Sequence, residues 1–254
     1  MLASSFSVLC GLCLLFTGVS VSAKDQAANS AVVEALSKIK KYPAYRLTRS
    51  LEAHLAPEGS GAMAPVKITE TAVMLVSRKG GVVRAHESLT SQQTMFPLLP
   101  ISRTKKEPTT TLWDGRWIYS WGQPSGPTKM VDADVNRGAY IIESLYAALL
   151  KDDSLSLRGE ESVDGQRCIL LESSAEFLRP FLYVEGKKTI LLNQSTGFPV
   201  RITAKKQMSK AVVNYTAIET NPTYSAEIFV PAKNVAFERI NGAEGMENER
   251  ARQK

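Results

Sequence analysis

The chain has 254 residues and a formal net charge of +6, with 44% apolar and 22% charged residues, which suits a globular domain and excludes a disordered or fibrous one. Its two histidines are too few for a histidine-rich metal site, and no HExxH, CxxC, GxSxG or glycine-rich phosphate loop occurs beyond residue 23. No basic cluster interleaves with aromatics, so nothing points to nucleic acid.

Phe6 to Val21 is an apolar run without charge, followed by the A-x-A-like site Val21-Ser22-Ala23. It is too short to span a bilayer, so residues 1–23 read as a cleaved secretory signal and the protein as periplasmic. The charge of +6 survives its removal, because this stretch carries none. Small basic clusters at Arg103 to Lys106 and Lys205 to Lys210 read as solvated surface or as weak attraction to an acidic partner or anionic membrane face. Past the signal the only cysteine is Cys168, in the apolar run Cys168-Ile-Leu-Leu. It reads as a buried small hydrophobe with no internal disulfide partner, which is ordinary for a bacterial periplasm.

Asn29 or Ser30 is expected to cap a helix running to about Lys41. Val32, Val33, Leu36 and Ile39 fall on its apolar face, Lys38, Lys40 and Lys41 suit its last turn, and Pro43 ends it. Strands are expected at 44–55, with Tyr45, Leu47 and Leu51 inward, at 66–77, and after the Gly80-Gly81 turn at 82–89. Residues 88–108 carry Met95, Phe96, Leu98, Leu99 and Ile101 among Pro97, Pro100 and Pro108. Proline argues against a regular central strand, yet the piece is too apolar for an exposed loop. A lid or flap and a buried crossing segment both remain open.

Thr109 to Trp121, TTTLWDGRWIYSW, carries all three tryptophans of the chain. Its Asp114-Gly115 is a strong hairpin signal, since a two-residue turn needs positive φ. Such a turn sets Trp113 opposite Arg116 and Leu112 opposite Trp117. Alternation then places Leu112, Trp117, Tyr119 and Trp121 on one face, either as plain core or as the wall of a cavity for an apolar ligand.

Gly122 to Pro127 is a loop, and Asp134 or Asn136 leads into a second helix over about 138–151. Its apolar face is Ile141, Ile142, Leu145, Tyr146, Leu149 and Leu150. Asp132, Asp134 and Glu143 could approach one another, but capping is the stronger reading, and no catalytic, metal or cofactor grouping emerges. Strands follow at 155–163 and 166–173 around Asp164-Gly165, at 187–193 and 198–206 around a looser turn, at 210–219, and at 225–231, where the sheet ends. Residues 241–254 read as a disordered polar tail. About nine or ten antiparallel strands and two one-faced helices predict an α+β fold, a strongly curved sheet or open half β-barrel wrapped around two or more helices. Residues 24–240 form its single domain. The scarcity of catalytic groups beside an aromatic hairpin argues for binding, not enzymatic chemistry.

The order of VMLVSRKGG, LWDGRWIYSW, a single apolar helix, RCILLES, KTILLNQSTGFPVRITAKKQ, VVNYTAIETN and EIFVPAKNV resembles the periplasmic lipoprotein carrier superfamily (LolA/LolB-like, with related envelope-stress regulators) over about residues 30–235. The resemblance implies an apolar cavity for acyl chains, closed by helices acting as a lid. The residues implied for its lining are Val73, Leu75, Leu112, Trp117, Tyr119, Trp121, Ile142, Leu145 and Leu149. Arg78 matches the family arginine that holds the lid and governs release, and Phe96, Leu98 and Leu99 would join it there. Lys79 stands where the family usually has proline, and the apolar insert at 95–101 and the charged tail depart from the common pattern. Lipid or acylated lipoprotein cargo, a membrane-surface or envelope-protein partner, and a monomer are implied. A non-enzymatic interaction or sensor module with a filled core is the alternative.

Overall fold

The computed structural model describes residues 25–56, 65–95, 101–104, 108–122, 126–131, 141–174 and 186–240. The expected signal, the expected tail, the lid residues Phe96, Leu98 and Leu99, and the candidate caps Asp134 and Asn136 lie outside the described residues.

Helix α1 spans Gln26–Lys40 and starts earlier than the sequence suggested, because Asp25 is its N-cap and accepts from the Ala28 N–H at 3.0 Å. Its buried face is Ala28, Ala31, Val32, Ala35 and Ile39, while Val33 is 53% exposed. The small alanines let the helix lie close to its neighbours. Gly197, at φ +81°, presses against the Ala35 carbonyl where no Cβ would fit.

Strands β1 (Ala44–Leu55) and β2 (Val66–Ser77) pair antiparallel along their full length, with the bounds expected. Strand β3 (Arg84–Met95) runs well past residue 89, and β4 (Ile101–Thr104) pairs back on its end through Met95↔Ile101. The flanks of the proline-rich piece are therefore sheet, which corrects the expectation that residues 88–108 hold no regular strand, while residues 96–100, read as a lid or a buried crossing, lie outside the described residues. Strands β5 (Thr109–Trp113) and β6 (Trp117–Trp121) form the tryptophan hairpin, and β7 (Thr128–Val131) adds to it. After α2 (Ile142–Leu149) come β8 (Ser156–Val163), β9 (Gln166–Ser173), β10 (Lys187–Asn193), β11 (Pro199–Lys206) and β12 (Ser209–Thr220). The expected last strand at 225–231 is instead a 3-10 turn, Ala226–Phe229. The sheet ends with β13 (Glu238–Arg239), which runs parallel to β7.

The described strands make one open sheet of 13, in the order β13-β7-β6-β5-β3-β2-β1-β12-β11-β10-β9-β8 with β4 beside β3. It is antiparallel except at β13. Both helices lie on one face, here called inner, giving the open half-barrel α+β architecture. Inward residues alternate along the strands: Tyr45, Leu47, Leu51 and Ala53 on β1, Met74 and Val76 on β2, Val213 and Tyr215 on β12. They share one core with Val32 and Ile39 of α1 and with Ile142, Leu145, Tyr146 and Leu149 of α2.

The tryptophan hairpin turns one residue later than the expected Asp114-Gly115 turn. Trp113 pairs with Ile118 and Leu112 with Tyr119. Asp114 keeps an ordinary φ and uses its carboxylate as the turn acceptor, taking the N–H of Arg116 at 2.8 Å and of Trp117 at 2.7 Å. The turn residues are thus Gly115 and Arg116, closed by Asp114 N–H donating to the Trp117 carbonyl. This shifts the register by two, which preserves the assignment of side chains to faces.

Candidate functional site

Arg78, at the end of β2, gathers both helices onto the sheet. Its N–H donates to the Pro43 carbonyl at 2.8 Å, and Nη1 donates to the Tyr42 carbonyl at 2.6 Å, just past the end of α1. Nη2 is ion-paired with Glu143 in the first turn of α2. The guanidinium carbon lies 5.3 Å from the Tyr45 ring centroid, and the Tyr45 hydroxyl donates to the other Glu143 oxygen at 2.9 Å. Both charged side chains are mostly buried, at 14% and 13% exposure. Glu143 also suits the positive N-terminal end of its helix. Burial lowers the Arg78 pKa and raises that of Tyr45, which stays a neutral donor. A further tie comes from the Tyr146 hydroxyl, which donates to the Gly197 carbonyl in the β10–β11 turn. The short α2 is therefore fastened at polar points around an apolar face.

The nine lining residues implied by the resemblance are split by the sheet. Ile142, Leu145 and Leu149 lie in the inner core. Leu75 and Leu112 lie on the outer face, packed with Phe229, and Tyr119 and Trp121 pack around them. Val73 shares that face by alternation and is 43% exposed, as does Trp117 at the start of β6. No single cavity contains all nine. Alternation assigns Val73 and Leu75 to one side and Met74 and Val76 to the other, and periodicity alone does not say which side faces the helices. Trp113 is the tryptophan that packs against the inner core, and its buried indole N–H has no acceptor among the described residues.

The outer cluster exists because the chain returns across it. After β12, Tyr224 hydrogen-bonds with Ser77 at 2.6 Å, and its ring meets Phe229 edge-on. Phe237 then meets Tyr119 and Trp121 edge-on, at ring separations of 5.2 and 5.9 Å, before β13 joins β7.

The inner face also carries a polar patch that sequence reasoning missed. Arg49, at an inward position between Leu47 and Leu51, donates to Glu87 at 3.0 Å, and the two side chains are only 12% and 9% exposed. Glu70 accepts from Ser91 nearby. Burial raises the Glu87 pKa against the opposing pull of Arg49, with Glu70 adding to the rise. Burial likewise pushes the Tyr215 hydroxyl up to about 12. The parity of Arg49 with its leucine neighbours was a usable signal. Among the described residues no His, Cys, Asp and Glu grouping could hold a metal ion. An open groove of about 1300 Å³ lies elsewhere, on the outer side of β11 and β12, lined by polar residues such as Arg201, Asn214 and Thr216.

No family model matches the chain, and no curated protein matches it. Solved structures do. Lipoprotein LppX from Mycobacterium tuberculosis shares 11% identity over 79% of this chain and 98% of its own, with a TM-score of 0.43. LprF from Mycobacterium bovis shares 11% over 78% and 95%, with a TM-score of 0.42. A LolA superfamily protein from Nitrosomonas europaea shares 15% over 80% and 97%, with a TM-score of 0.35.

Proposed function

We propose that the protein is a non-enzymatic periplasmic carrier that holds the acyl chains of a lipid or lipoprotein between α2 and the inner face of the sheet. The observation that carries this reading is the Arg78–Glu143 ion pair, which fastens a short apolar helix to the end of a strand. Removing an acyl methylene from water is worth about 0.8 kcal/mol. A chain of ordinary length thus offsets the parting of α2 from Met74, Val76 and Leu47, provided Leu145 and Leu149 repack on it. Ile142, Leu145 and Leu149 line the helix side of this site, and Met74, Val76 and Trp113 the sheet side. Arg78 governs release, since α2 lifts only when its ion pair opens.

A second reading, an envelope interaction or sensor module with a filled core, is favoured by the packed interior and by Arg49 and Glu87 on the inner wall. Native mass spectrometry of the purified exported protein, followed by organic extraction, separates the two. A carrier brings acylated molecules with it, and Leu145→Gln, with its fold verified by circular dichroism, loses them. A clean mass that stays clean after incubation with phospholipid vesicles and a diacylated lipopeptide rejects the carrier and leaves the module.

A further inference from the structure

Three cations from three elements converge on one aromatic ring at the edge of the sheet. Arg116 from the hairpin turn, Lys129 from β7 and Arg239 from β13 stand 5.9, 5.6 and 5.4 Å from the Trp117 ring centroid. Arg239 is the register partner of Lys129, so the returning chain completes the group. Among the described residues none of the three is ion-paired with a carboxylate. Asp114, two residues before Arg116, takes the Arg116 and Trp117 backbone N–H groups on one oxygen, and Glu238, next to Arg239, forms no ion pair with the three among the described residues. A cation resting against a ring keeps its outward N–H donors free, and a guanidinium offers them in the fork that fits a phosphate.

The surroundings favour a lipid surface over a soluble anion. Val82, 40% exposed, lies against the same turn, where a Cβ on Gly115 would come within 2.6 Å of its Cγ1. The exposed Lys79 belongs to the same β2–β3 connection. Exposed valine beside half-buried tryptophan gains from the headgroup boundary, whereas a dissolved phosphate offers it nothing. The three charges, unpaired among the described residues, and the chain's net +6 complement an anionic bilayer. We propose that this edge, formed by Arg116, Trp117, Lys129 and Arg239 with Val82 beside them, docks the protein on anionic phospholipid. The edge stands at the end of the sheet that holds Arg78, so docking brings the α2 fastening up to the membrane. The docking stands independently of the carrier reading, because it requires no cargo.

The test is vesicle sedimentation of the exported protein, its N-terminus established by mass spectrometry. Vesicles of phosphatidylethanolamine with phosphatidylglycerol, at roughly 2:1, should retain the protein in a manner that weakens with salt, and phosphatidylcholine vesicles should not. Charge reversal in R116E/K129E/R239E should lower partitioning at least ~100-fold, and the milder R116Q/R239Q, at exposed positions, about 10- to 30-fold. K40E/K205E/K210E changes the net charge equally at exposed positions elsewhere and should stay within about 2-fold of the unaltered protein. Equal retention on both vesicle types, equal loss in the two triple variants, or displacement by inorganic phosphate beyond that by chloride of matched ionic strength would each overturn the proposal. The last would mark a soluble-anion site.

Discussion

The two faces of the sheet solve the same problem with different means. The inner face buries its apolar residues under two helices and adds buried charge, in the Arg78–Glu143 and Arg49–Glu87 pairs. The outer face has a small apolar cluster under a strap of chain, sealed by edge-on aromatic contacts and the Ser77–Tyr224 hydrogen bond. Paired charge inside a large core restrains how a covering element sits, because each charge needs its partner in place. Aromatic edges on a small cluster fix a strap without that all-or-none requirement. The difference is that α2 is held over the core through a buried ion pair, Arg78–Glu143, whereas the strap is held without one.

The largest expected effect comes from taking that contact away. Arg78→Met leaves Glu143 mostly buried and unpaired, and should cost about 3–5 kcal/mol in chemical denaturation. It should also raise hydrogen exchange in α2 before that in the strap. Equal exchange in both would break the comparison. The next effect compares two leucines with no exposed surface. Leu149→Ala, within the inner core, should cost about 3–4 kcal/mol, and Leu112→Ala, in the smaller outer cluster that can close around the gap, about 2–3. A larger loss at Leu112 would make the outer face the main source of stability.

The smallest effect is one of pH, and the faces should differ in sign. Glu87 on the inner face has a raised pKa because it is buried. Its folded form therefore holds its proton more firmly than the unfolded chain. Stability from this group is greatest below the usual carboxylate range and is lost as pH rises through the folded pKa. Glu172 on β9 has a lowered pKa because it accepts from Arg158 and Lys187, both at 2.6 Å. Its contribution is present above the usual range and lost as pH falls through the folded pKa. In urea titrations from pH 7 downward, the unaltered protein should gain on Glu87→Gln and lose ground to Glu172→Gln. Slopes of the same sign would refute the assignment.

Much of this architecture was legible in the residues. β1, β2, β9 and β10 have the bounds that alternation and turn residues indicate. The open half-barrel with helices on one face follows from their number and from the one-sided apolar pattern of α2. The two Asp-Gly pairs show where such reading stops. Asp164 and Gly165 both adopt positive φ, at +49° and +77°, and make the two-residue turn expected. Asp114-Gly115, the same dipeptide, does not, since the Asp114 carboxylate captures the two following N–H groups. The site was harder to read. Alternation sorted Leu112, Trp117, Tyr119 and Trp121 onto one face correctly, but which face meets the helices depends on where the chain passes after residue 220. Residues 225–231, read as a strand, hold the 3-10 turn of the strap that covers the outer side.

The place of β1 has a consequence for how the sheet comes into being. The first strand of the chain lies at the centre of the strand order, paired on one side with β2 and on the other with β12. The second of these pairings joins Ser50 to Asn214 and His54 to Lys210, across most of the length of the chain. That pairing carries the loop-closure entropy of the long stretch of chain between its two strands, unlike the local hairpins β10–β11 and β11–β12. The two halves of the sheet therefore stay unjoined until residues 209–220 arrive, and a truncated chain has a β1 with one naked edge. Joining the two halves of this sheet waits on residues 209–220, far along the chain from β1.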